Sequence, residues 1–157
     1  MVPAFDEVVY DLCHHLEIEP PALAAGGFFA ILVGSEQVLL KDGPGGRVIE
    51  LGAEVGFLTR STALEVAEIE GLLKANLAQS LQRDVLVCLD MAEGRAAQRV
   101  LIKGFHRYDE TDISRLAHLV SEVASSAEAF KGLLHGAGHG GEAELTQDYP
   151  GALIFQP

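Results

Sequence analysis

The chain has 157 residues, nearly half of them apolar, no Trp and a formal net charge of −12. That length fits one domain with a buried core, and that composition excludes a disordered polypeptide. Its 23 acids against 11 bases oppose a phosphate backbone or an anionic bilayer, so neither nucleic acid nor membrane insertion is expected, while a basic or amphipathic polypeptide is a compatible partner.

Residues 4–17 show helical spacing, with Phe5, Val8, Val9, Leu12, Cys13 and Leu16 recurring at three and four. Asp6 and Glu7 fall in the first turn, where the helix dipole favours acids, and Pro20 and Pro21 forbid continuation. Three strands follow: FFAILV (28–33), EQVLLK (36–41) across a Gly34-Ser35 turn, and RVIEL (47–51) after the turn-rich DGPGG (42–46). A second helix begins at Thr62, which is spaced with Glu65 as a capping box; Val66, Ile69, Leu72, Leu73, Asn76 and Leu77 share one side of it. Strands at 84–91 and 97–103 come next, joined by a turn at 92–95. The first alternates Val85, Val87, Leu89 and Met91 against Leu86, Cys88 and Asp90. A long helix runs from Ile113 to Leu134, with Asp109 as its cap.

The expected order is thus α-β-β-β-α-β-β-α. Links of hairpin length make this an α+β fold, a mainly antiparallel five-stranded twisted sheet with three helices. Residues 1–134 form the single domain. Residues 135–157, Gly-rich and then acidic, read as a flexible tail in which ALIF (152–155) is able to dock as a short strand. The strands carry apolar residues on both faces, so the face not packed by helices calls for a second subunit or a bound polypeptide.

Chemistry-bearing motifs are absent. His14 and His15 are helix neighbours that point in different directions, and either with Asp11 reads as a surface pair. His135 and His139 sit among glycines, which do not fix a ligand geometry. Gly136, Gly138 and Gly141 match a dinucleotide-binding spacing but lack a strand before and a helix after, and GPGG (43–46) lacks the Lys-Ser/Thr of a phosphate loop. None of the serines lies in a nucleophile elbow, and Glu65, Glu68 and Glu70 read as a solvated helix face. No catalytic residue, cofactor or metal is therefore expected. Cys13 and Cys88 both lie in apolar patterns, which suits buried thiols in a reduced cytoplasmic protein. Asp6 and Glu7 stand where a signal peptide would be basic and apolar.

The ordered whole resembles the class I type III secretion chaperones, the group related to the Tir chaperone. The residues that carry the resemblance are HHLEIEP (14–20) closing the first helix, the Gly-bounded hairpin after it, and VLVCLD (85–90) followed by a turn and a strand. Most telling is LLKANL (72–77), which looks like the family's Leu-Leu-x-x-Asn segment. The likeness spans residues 4–134. It departs at Phe130, where members often carry Trp, at 103–112, which lacks the expected proline, and in the longer tail.

The resemblance implies a non-enzymatic bacterial cytoplasmic homodimer that keeps the N-terminal region of a secreted effector extended for export. It implies a dimer contact through Val66, Ile69, Leu72, Leu73, Asn76, Leu77, Val85 and Val87. Asn76 then either fixes the register of that contact or ends its helix. The expected effector groove lies on the first helix and first three strands, at Phe5, Val9, Leu12, Phe28, Ala30, Leu32, Val38 and Leu40; FFAILV does not reveal which face is outward, and core packing is the competing role for each. Two other classes stand beside this reading: a small α/β enzyme or ligand-sensing domain with an unrecognised pocket, and a structural adaptor for a folded partner.

Overall fold

The computed structural model describes residues 4–58, 62–80, 83–90, 98–108, 112–134 and 153–155, the side chains of 62–65, 80 and 153–155 excepted. The elements are α1 (Phe5–His15), β1 (Phe28–Val33), β2 (Glu36–Asp42), β3 (Val48–Phe57), α2 (Thr62–Ser80), β4 (Val85–Asp90), β5 (Arg99–Arg107), α3 (Ile113–Lys131) and β6 (Leu153–Phe155). Five strands form the expected antiparallel sheet in the order β4-β5-β3-β2-β1, and β6 adds a sixth strand outside β1, parallel to it. The capping side chains of Thr62 and Glu65, the turn at 92–95, Asp109 and the 135–141 segment lie outside the described residues.

Alternation decides which sheet face is inside. Phe29, Ile31 and Val33 of β1, Val38 and Leu40 of β2, Ile49, Leu51, Ala53 and Val55 of β3, and Val100 and Ile102 of β5 are buried in one core with α1 and α3. Successive side chains of a strand point to opposite faces, so their neighbours in sequence form the other, helix-free face. In α3, Leu116, Val120, Val123, Ala127 and Phe130 are buried at helical spacing. In α1, Val8, Val9, Leu12 and Cys13 are buried, and the Phe29 ring meets Phe5 at 5.5 Å and Tyr10 at 6.2 Å.

The element ends have local causes. Ahead of α1, the Glu7 carboxylate accepts the Ala4 N–H at 2.9 Å; behind it, Glu17 turns left-handed at φ 56° and stops the helix at His15. The N-cap of α3 is Asp112, whose side chain accepts the Arg115 N–H at 3.2 Å, and not Asp109. Strand β3 runs on to Phe57 and β5 to Arg107, past glycines that mimic stops. Gly104 is one of these. A Cβ there would lie 3.0–3.2 Å from Leu119 and Val123, so the glycine is where α3 seats against the sheet. At the other end of α3, Lys131 Nζ bonds both carboxylate oxygens of Glu36 at 2.7 Å, tying the helix to the β1–β2 hairpin.

Candidate protein-binding surfaces

Three surfaces are left unfinished by the core: the helix-free sheet face, the outside of α2, and the edge of β1 beside α1.

The helix-free face, expected from its apolar residues to need a cover, also carries ion pairs. On it Arg99 bonds Asp90 at 2.5 Å and Glu54 at 3.4 Å, and Lys103 bonds Glu50 at 2.5 Å. These groups surround an open trough of about 570 Å³ that also exposes Leu39 and Leu101. The cause is legible afterwards. Glu50 and Glu54 in β3, and Arg99 and Lys103 in β5, fall on the outward phase of their strands, so the face meets its own charges. At β1, with Phe28, Ala30 and Leu32 outward, it stays apolar, and at the opposite end Leu86 and Phe105 stand exposed beside the ion pairs.

Helix α2 carries apolar residues around a wider arc than β4 covers. Ile69, Leu72 and Asn76 centre roughly 90° around the helix from Val66, Leu73 and Leu77 at 3.6 residues per turn. The first set, with Leu73 at its border, lines a cleft of about 60 Å³ against Val87 and Leu89. The second set stands 60–68 % exposed, next to exposed Leu89. Asn76 does not end the helix, which continues to Ser80; its Oδ1 accepts the Val87 N–H at 3.0 Å. Since β4 is the outer strand of the sheet, this bond occupies one of its backbone donors and fastens α2 to it. No sequence signal distinguished this partner from others within reach of an amide.

The eight residues expected at an effector groove separate by burial. Val9, Leu12, Val38 and Leu40 are fully buried on the helix side and present no surface, which withdraws them from the site: they are core. Phe5, Phe28 and Leu32 are half-buried around β1, and Ala30 is buried between the latter two on the outward side. Among the eight expected at a dimer contact, Leu72 and Val85 are interior, Ile69, Asn76 and Val87 half-buried, and Val66, Leu73 and Leu77 exposed. The edge of β1 beyond Phe28–Leu32 is taken over Ile31–Val33 by β6.

Titratable chemistry is sparse. Burial pushes the Cys13 thiol up to about 11 and raises that of half-buried Cys88, where Lys103 opposes the shift. His106 is buried on the inner face of β5, with no hydrogen-bond partner for Nε2. Among the described residues no group of three His, Cys, Asp or Glu is placed to hold a metal ion, and no helix is long and apolar enough to cross a membrane.

No family model and no curated protein matches the chain. Solved structures do. The Yersinia pestis type III secretion chaperone SycH, solved with a stable fragment of YscM2, aligns at 16 % identity and TM-score 0.59, over 81 % of this chain and 99 % of its own. A chain of the ExoU–SpcU heterodimer, from the type III secretion system of Pseudomonas aeruginosa, aligns at 15 % identity and TM-score 0.60, over 83 % and 97 %. YbjN from E. coli aligns at 14 % identity and TM-score 0.57, over 83 % and 89 %. What is shared at such identities is the fold, and this chain has the α+β architecture on which SycH is built.

Proposed function

We propose that the chain is a bacterial cytoplasmic chaperone of the type III secretion kind: a homodimer without catalytic activity that holds the N-terminal segment of a secreted effector extended. The observation that carries this is the likeness to SycH over 99 % of that chain, in a structure that holds a polypeptide fragment. Two physical features support it. Val66, Leu73 and Leu77 leave an apolar stripe in water on α2, and a second copy related by a twofold axis would cover it with its own. Around β1, Phe5, Phe28, Ala30 and Leu32 border a strand edge, the place where an extended segment gains backbone hydrogen bonds and seats alternate side chains. The chain's acidity favours clients with basic or amphipathic segments. Residues 1–134 form the working domain, with 135–157 as an appended tail.

The test is purification of the tagged chain from its own bacterium. We expect light scattering to give about twice the 16.7 kDa protomer mass. We also expect a co-purifying secreted protein whose bound segment is readily cut by protease, and Leu32→Asp should abolish its capture while sparing the dimer. A monomer that captures no exported protein overturns the reading. The alternative is an adaptor for a folded partner. A captured partner that resists protease throughout would select it.

A further inference from the structure

The two edges of the sheet are closed by different devices. At β4 a side-chain amide from α2 occupies a backbone donor. At β1 the occupant is a strand from the far end of the chain: Leu153, Ile154 and Phe155 lie in register with Ile31, Leu32 and Val33. An open strand edge pairs with whatever extended polypeptide arrives, and a chain that brings its own strand there fills the position in advance.

We propose that Leu153–Phe155 is a displaceable guard of the β1 edge, a built-in competitor for any extended polypeptide that would add a strand there. Three features make it displaceable. The pairing is parallel and three residues long, the weaker ladder and a short one. It covers only Ile31–Val33, so that the Ala30 N–H, which faces away from β2, lies beyond the end of its ladder and an arriving strand can engage β1 there before β6 leaves. And β6 is joined to Leu134, at the close of the core, by the eighteen residues 135–152, so it competes as a tethered segment. A tether of that kind gives an effective concentration on the order of millimolar. An incoming strand that pairs with β1 no better than β6 does is excluded at micromolar concentration, while one that adds further contacts displaces it. The guard thus sets a threshold: it rejects stray strands and admits a client that also engages the apolar residues around β1. Only the identity of that client rests on the chaperone reading above.

The experiment uses the full-length chain and two variants, Phe155→Pro, which removes the backbone donor that the parallel register sets against the Leu32 carbonyl, and a chain lacking only 153–157. Hydrogen exchange is read at Leu32, with Ile31 and Val33, whose N–H groups face β2, as internal controls, and circular dichroism confirms that both variants stay folded. A labelled peptide of residues 149–157 serves as the incoming strand. We expect about tenfold or faster exchange at Leu32, whose N–H faces the outer edge, in both variants, no change in α3, and slowing of that exchange when the peptide is added. The peptide should bind each variant at least about tenfold more tightly than the full-length chain. Unchanged exchange at Leu32 in both variants overturns the proposal, as does equal peptide binding to all three proteins. Neither readout needs an effector. A failure to capture one would sink the chaperone reading and leave this measurement standing.

Discussion

Helices α2 and α3 are each nineteen residues long, yet they are held in opposite ways. Nine residues of α3 are buried, and Gly104 lets it sit directly on the sheet. Of the α2 side chains that are described, only Glu68 and Leu72 are buried, and three large apolar ones stand mostly in water. The contrast separates what the chain does for its own stability from what it presents to others. α3 is part of the domain's interior, whereas α2 is held through an inner strip that includes the Asn76–Val87 hydrogen bond and offers its remaining apolar arc outward.

That contrast can be broken most forcefully at Phe130, fully buried in the last turn of α3. Phe130→Ala should cost about 3–5 kcal/mol, read as a lowered urea midpoint, because the cavity lies where the packing cannot collapse. A similar substitution on α2 should act on assembly and not on folding. Leu73→Asp with Leu77→Asp should leave the unfolding midpoint of the dilute protomer near its starting value, while light scattering shows the dimer lost. Each leucine covered in a twofold contact contributes roughly 1.5–3 kcal/mol per protomer. If these changes unfold the protomer instead, α2 is as much core as α3 and the distinction fails.

Asn76 sits where the two roles meet. Asn76→Ala should cost about 1 kcal/mol in thermal unfolding and speed amide exchange at Val87, whose N–H loses its partner. The gentlest probe lies under α3. His106→Leu removes a buried imidazole whose Nε2 has no partner, and should raise stability by about 1 kcal/mol, seen as a melting temperature a few degrees higher.

Much of this architecture was legible in the residues, for physical reasons that also explain where reading stopped. Three- and four-residue spacing located α1 and α3 because one face of each is committed to the core. The same spacing in α2 grouped Val66, Leu72 and Leu77 on a single side; in the fold that arc is divided between β4 and solvent. Periodicity reports that a stripe is apolar but not what covers it. FFAILV named β1 but not its orientation, and burial of Phe29, Ile31 and Val33 resolved it. Strands β3 and β5 run past their expected ends because Gly52 and Gly104 are accommodated in the pleat, the second as the seat of α3. The ion pairs of the helix-free face join residues 45 and 53 positions apart, as in Glu54–Arg99 and Glu50–Lys103, and only the strand register brings them together. The pairing of β6 with β1 spans most of the chain and leaves no local trace, although the segment itself was readable as a strand.

The Lys131–Glu36 clasp has one more consequence. Glu36 stands opposite Val33 in the β1–β2 register, so the close of α3 pins the tip of the hairpin whose outer strand meets β6. A strand held at its tip by a helix already seated in the interior does not have to be straightened to pair along its outer edge. Under the docking proposed above, the ordering on contact falls on the arriving polypeptide alone, and β1 keeps its shape when that polypeptide leaves.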